Sequence, residues 1–341
     1  MSRKITIKSP LDMHLHLRDK EMLKLVAPLS SQSFSGAVVM PNLVPPITTK
    51  EALLAYKQRI KEAANDESFE PYMTLFFQNY TKEFLESIKD EIIAVKLYPA
   101  GITTNSETGV SSMDIEDLRP TLQAMSDLGI ILAIHGETNG FVMDREAEFM
   151  PIYAAIAKEF PNLKIIMEHI TTKAAVDMLD IYPNLYATIT LHHLLITLDD
   201  VAGGMLKPHL FCKPIAKRYE DKEALLSVAL KAHPKVCFGS DSAPHPKHTK
   251  ESCGCAAGVF TSPIALQVLV ELFDKYNSLD NLQKFVSNNA INIYGVKPSS
   301  KVVELEEKEF IVPELYEYNH EKVVPMYAGE AIKWSIVSIK C

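Results

Sequence analysis

The sequence predicts an α/β fold in which eight parallel strands, each followed by a helix, close into a barrel. Three observations lead there. Short apolar runs and segments of helical period alternate from about residue 10 to about residue 240. The apolar runs number eight, at 11–17, 37–40, 72–77, 92–97, 130–135, 164–169, 185–190 and 235–239, and eight is the number that closes such a barrel. Several, such as Ile130-Ile131-Leu132-Ala133-Ile134, are apolar throughout rather than alternating, as strands of a parallel sheet covered by helices are. An open doubly wound sheet is the fallback, but no G-x-G-x-x-G follows the first strand.

Taken in order, the segments between the strands carry helix signals. Thr48 with Glu51 makes a capping-box pattern ahead of Ala52-Leu53-Leu54-Ala55-Tyr56. Asp114 opens a segment whose Ile115, Leu118, Leu122 and Met125 recur at helical spacing and which ends at Gly129. Thr171-Thr172 precedes a helical stretch at 174–179, and 219–232 and 264–276 read similarly. The charged run Glu304-Leu305-Glu306-Glu307-Lys308-Glu309 reads as a solvated face or loop. No linker interrupts the chain, so one barrel domain over 1–341 is expected, with a carboxy-terminal extension from about residue 300 packed on it.

Composition excludes several classes. The 341 residues are 47% hydrophobic and 23% charged, with 35 Lys plus Arg against 43 Asp plus Glu and a net charge of −8. An acidic surplus argues against a general binder of nucleic acid or anionic membrane, though not against a local basic pocket. No apolar run nears the ~18–20 residues that span a bilayer, and the amino terminus lacks the apolar core of a signal peptide. Five cysteines make no disulfide framework. Cys212 and Cys237 read as reduced core residues. Cys253 and Cys255 form a C-x-C, but no second pair completes a four-cysteine zinc site. A reducing cytoplasm is the expected compartment.

Chemistry in this architecture sits at the carboxyl ends of the strands. The first strand ends in His14 and His16, which at i and i+2 project to one face, with Arg18 two residues on. The fourth ends in Lys96, the fifth in His135, the sixth in His169 and the eighth in Asp241. Each has a bland reading: hydrogen-bonded core histidines, Glu168 facing the helices beside His169, Lys96 snorkelling to water, Asp241 capping a turn. Jointly those readings lose ground, because the apolar pattern placed the ends independently. Four histidines and an aspartate are a nitrogen and oxygen set suited to zinc. They are too many for one open tetrahedral ion and too few for two without a bridge. A carboxylated Lys96 could bridge, where a free ammonium would repel.

These residues, His14-x-His16, Lys96, His135, His169 and Asp241, resemble the amidohydrolase superfamily. Longer phrases narrow the likeness: Met40-Pro41-Asn42-Leu43, Lys96-Leu97-Tyr98-Pro99, Gly239-Ser240-Asp241-Ser242-Ala243-Pro244-His245 and Glu251-Ser252-Cys253-Gly254-Cys255-Ala256 are similar to the shorter, bacterial-type dihydroorotases, and the match runs from about residue 9 to Glu330. The resemblance implies a metal-dependent TIM barrel that interconverts N-carbamoyl-L-aspartate and L-dihydroorotate, with a homodimer as its assembly. It implies one zinc ion on His14, His16 and Asp241, a second on His135 and His169, and N6-carboxylysine at Lys96 between them, with Asp241 as general acid and base. Arg18, Asn42 and His245 would bind the substrate carboxylate, the backbone near Lys213, Ala243 and Ala257 the ring amide, with His16 and His135 also at the substrate. Lys213 stands where the family more often has an apolar residue. Thr103 and Thr104 would belong to a loop closing over the substrate. A hydantoinase-like or allantoinase-like enzyme, or a non-catalytic barrel serving as a partner protein, are the competing readings. Arg18, Asn42 and His245 argue against the first, and the complete ligand set against the second.

Overall fold

All eight strands form. The computed structural model describes residues 2–341. Ahead of the barrel lies β1 (Lys4–Lys8). The barrel strands are β2 (Leu11–Leu15), β3 (Gly36–Val39), β4 (Glu70–Phe76), β5 (Ala94–Leu97), β6 (Ile131–Ile134), β7 (Ile165–Met167), β8 (Leu185–Ile189) and β9 (Val236–Phe238). They pair in sequence order, every pair parallel. The ring closes through a parallel bridge between Leu15 and Ser242. Around it the Asp241 N–H donates to His14 O at 2.8 Å and the His16 N–H to Ser242 O at 3.2 Å. This closure sets the far end of the barrel beside its first strand.

The helices start where short polar side chains satisfy free N–H groups. Asp114 accepts from the Glu116 N–H and Thr172 from the Ala175 N–H. At the second helix the cap is Thr49, not Thr48: its side chain accepts from the Ala52 N–H and the helix begins at Lys50. Gly129 ends its helix at φ +68°, a conformation that favours glycine.

A register shift between Asp12 and Leu15 puts an extra residue into β2. Leu11 and Met13 pack with Val38, Ile166 and Cys237 inside the barrel, whereas Leu15 and Leu17 join the core beneath the helices. The alternation thus switches face at the bulge, which lets His14 and His16 enter the interior above Met13. Ile293 and Tyr294 close the same interior cluster from the helix Asn289–Tyr294.

The tail beyond residue 300 forms a sheet. β1 pairs antiparallel with β10 (Val302–Ile311), and β10 with β13 (Ala331–Lys340); β11 (Tyr316–Tyr318) and β12 (Glu321–Val323) make a separate hairpin. The glutamates of the charged run lie on the solvent side of β10, where Glu304 meets Lys4 at 2.8 Å and Glu307 meets Arg3 at 2.7 Å. Val303 and Leu305 on the other face are buried, as is Trp334 of β13. Fully burying each such side chain stabilises by about 1.5–3 kcal/mol, far more than exposed ion pairs contribute.

Candidate active site

One cavity at the carboxyl end of the barrel gathers most of the residues singled out in the sequence. Its walls include His14, His16, Arg18, Asn42, Thr103, Thr104, His135, His169, Lys213, Asp241, Ala243 and Ala257, with Tyr98 and Gly258 added. Lys96 and His245 do not line it. Lys96 is fully buried beside Tyr98, its Nζ 4.9 Å from the ring centre, and His245 stands against Arg18.

Backbone twists aim the key groups. Arg18, His169 and Asp241 take φ of +57°, +40° and +43°, a left-handed region uncommon for residues other than glycine. At the end of β7 this twist breaks the strand alternation, so Glu168 and His169 both face inward. Glu168 therefore does not face the helices: its Oε2 lies 2.7 Å from His14 Nδ1 and accepts from Thr188 Oγ1 at 2.6 Å. The same threonine oxygen accepts from the His169 N–H at 2.7 Å.

The donor atoms converge. His16 Nε2 is 3.1 Å and His14 Nε2 3.5 Å from Asp241 Oδ1, and one ligand atom from each of the three lies within 4.8 Å of the others. His135 Nδ1 is 3.1 Å from His169 Nε2, and His135 Nε2 is 2.8 Å from Glu137 Oε2. The two glutamates fix the tautomers. With Nδ1–H of His14 given to Glu168 and Nε2–H of His135 to Glu137, the opposite nitrogens turn their lone pairs to the cavity. Burial lowers the His16 pKa to about 4, against the pull of Asp241, and moves His135 and His169 down as well, which keeps those three rings neutral. Burial alone would raise the Asp241 carboxyl, but the His16 hydrogen bond and the field of His14 hold it well below the usual carboxylate range.

This donor set fits a metal centre. Neutral imidazoles, an ionised carboxylate and carboxylate-anchored rings are what a zinc-type ion takes. Lys96 Nζ, Glu168 Oε1 and His169 Nδ1 are buried with no protein partner, and buried polar groups are seldom left so. Burial also lowers the Lys96 amine to about 8, which raises the share of neutral nitrogen. A second group of donor atoms, His192, His193 and Cys212, lies together in the core. There His193 Nδ1 is 2.8 Å from Thr190 Oγ1 and Nε2 is 3.0 Å from Pro214 O, so its ring is already engaged.

Across the cavity the lining turns cationic. Arg18 Nε donates to Pro244 O at 3.0 Å, its Nη2 lies 3.0 Å from His245 Nε2, and the latter is 2.9 Å from Ala257 O. Tyr56 Oη holds the Arg18 carbonyl at 2.7 Å. Burial and the Arg18 charge push the His245 pKa down to about 3, so its ring is neutral. Asn42 Nδ2 donates to Thr104 O and Asn105 Nδ2 to Asn42 O, each at 3.0 Å, docking the 101–110 loop over the cavity.

Residues 55–296 match the amidohydrolase family model. The chain is 47% identical over 339 residues to a dihydroorotase of Helicobacter hepaticus, covering 98% of each chain. The chain belongs to the dihydroorotase family. A crystal structure of the dihydroorotase of Campylobacter jejuni superposes with a TM-score of 0.95 at 61% identity over 98% of each chain. The Saccharomyces cerevisiae dihydroorotase, solved in complex with 5-fluoroorotic acid, gives 0.92 at 35% identity over 99% of this chain and 98% of that one.

Within this dihydroorotase family frame, sequence reasoning missed Glu137, Glu168, Thr188 and Tyr98. A signal existed for the glutamates, since each lies within two positions of a strand-end histidine. Because Glu168 anchors His14, Glu168→Gln is expected to lower metal affinity or activity by about 10–100-fold. Zinc titration of the metal-free variant checks this; unchanged affinity and turnover would remove Glu168 from that role.

Proposed function

We propose that this chain interconverts N-carbamoyl-L-aspartate and L-dihydroorotate, closing or opening a cyclic amide in pyrimidine synthesis. One observation carries the reading: an anchored set of histidines with Asp241 faces the Arg18 guanidinium across a single cavity. That arrangement suits an anionic cyclic amide. The yeast relative solved with 5-fluoroorotic acid, a pyrimidine carboxylate, supports the same substrate class.

In this reading His14, His16 and Asp241 would hold one zinc ion and His135 and His169 a second, with Lys96, carboxylated on Nζ, as a further ligand. Two such cations would supply Lewis acidity toward the amide carbonyl and would make water easier to ionise near neutral pH. Asp241 takes the proton of the attacking water and delivers it to the departing ring nitrogen. In the closing direction Asp241 starts protonated. Closure converts a dianion into a monoanion and consumes one proton, so acid favours the ring.

Arg18 meets the substrate carboxylate as a two-pronged donor and fixes which face of the ring is presented, with Asn42 and His245 beside it. The backbone at Lys213, Ala243 and Ala257 holds the ring amide. The Ala243 N–H already donates to Val259 O at 2.9 Å and the Ala257 carbonyl lies 2.9 Å from His245 Nε2, which leaves the Lys213 and Ala257 N–H groups and the carbonyls of Lys213 and Ala243 for that work. Thr103 and Thr104 close over the substrate from a loop anchored on Asn42. No helix among the described residues is long and apolar enough to cross a membrane, and all five cysteines are free; the reading includes a cytoplasmic homodimer.

The test is an assay of the purified protein for dihydroorotate hydrolysis before and after chelation. Activity that is lost on chelation and returns with zinc is expected. Absence of activity on dihydroorotate at full metal occupancy would overturn the reading.

A further inference from the structure

We propose that Lys250 is a positioning residue that fixes the peptide presenting the Ala257 N–H to the substrate; this rests on the substrate reading above. Lys250 ends the short helix Lys247–Lys250 and is only 3% exposed. Its Nζ donates to Phe211 O at 3.0 Å, Ala256 O at 2.7 Å and Gly258 O at 2.8 Å. An ammonium has three N–H groups and no acceptor, so all three are used, on two loops that both border the cavity. Phe211 O also accepts from the Gly258 N–H at 2.9 Å, tying the loops at one atom. Among the described residues its hydrogen-bond acceptors are all backbone carbonyls.

The consequence follows from peptide geometry. Ala256 C=O and the Ala257 N–H belong to one planar trans unit, in which they point in opposite directions. Drawing Ala256 O onto the ammonium therefore turns the Ala257 N–H away from Lys250. Ala257 lines the cavity, and among the described residues its N–H donates to no protein group. Its carbonyl is fixed separately, 2.9 Å from His245 Nε2. The next residue leaves no slack: Gly258 sits at φ +157°, and a Cβ there would lie 2.3 Å from Ala243 O. A lysine reaching in from the side is what holds this peptide plane, while the bridge Ser242 to Val259 joins the segment to the barrel just beyond Gly258.

Two ligands separate this role from simple stapling of loops. 5-Fluoroorotate carries a ring amide and a carboxylate, whereas succinate carries carboxylates and no amide. In the metal-loaded enzyme, K250M is expected to weaken 5-fluoroorotate by about tenfold, the scale of one or two hydrogen bonds, with succinate affinity within about twofold and metal content unchanged. For dihydroorotate the loss should fall on KM rather than kcat. Equal weakening of both ligands, or of neither, overturns the proposal. Should K250M not fold, K250Q keeps a donor for at most two of the three carbonyls. A selective loss of about threefold in K250Q then supports the role, and parity between the ligands overturns it. Failure of the wild type itself to bind 5-fluoroorotate would instead overturn the substrate reading, and the role of Lys250 with it.

Discussion

Asp241→Asn is expected to lower turnover by at least about 10³-fold while 5-fluoroorotate still binds, because general acid and base transfer is worth roughly 10²–10⁴. Asparagine keeps the shape and one oxygen but cannot carry the proton between water and ring nitrogen. The position is exacting for a second reason. Asp241 stands at φ +43° with its N–H tied to His14 O, so its Oδ1 is aimed at His14 and His16 by the barrel closure itself. Steady-state rates in both directions, with metal content measured in parallel, check the prediction. A D241N enzyme with full metal and near-normal kcat would end the proton-transfer role. Loss of the metal together with the rate would show that its main contribution is as a ligand.

Lys96→Met is expected to be as damaging, by at least about 10³-fold, and to reduce bound metal as well as rate. Methionine fills the same buried volume without a nitrogen, so a packing defect is minimised. The wild-type amine is fully buried with no protein partner, and burial lowers it to about 8. A neutral amine is the form that attacks carbon dioxide, giving a carbamate and a proton, and the new carboxylate would satisfy the space between the two sets of histidines. Bicarbonate should therefore speed zinc reconstitution of metal-free wild type and leave K96M unaffected. Two equivalents of zinc held tightly by K96M, with normal turnover, would refute the bridging role.

Local pattern carried much of this. Eight apolar runs gave eight strands because a strand covered on both sides must be apolar wherever it lies. Asp114 and Thr172 cap helices through contacts two or three residues away, so those starts were legible in sequence, and the shift from Thr48 to Thr49 is the ordinary one-residue uncertainty of a helix end. The strand-end residues His14, His16, Lys96, His135, His169 and Asp241 could be singled out because ionisable groups interrupt apolar runs at the place where a barrel exposes its strands.

Other features depend on contacts that no local pattern encodes. β1 was not foreseen because it exists by pairing with β10, some 300 residues away in sequence. Glu168 was placed on the wrong face because strict alternation fails where His169 turns left-handed. The bulge in β2, which sets Met13 and His14 both toward the interior, is likewise a product of its pairing with β3.

By itself, then, the sequence determined the barrel, the order of its elements and the chemical types of the groups at its mouth, since these follow from burial and periodicity along the chain. Tertiary structure alone decided that Asp241 meets His14 and His16, that Glu168 and Glu137 fix the imidazole tautomers, and that Lys250 sets a peptide plane at the far wall. Those are distances between chain segments, and they arise only when the ring closes and desolvates the groups inside it.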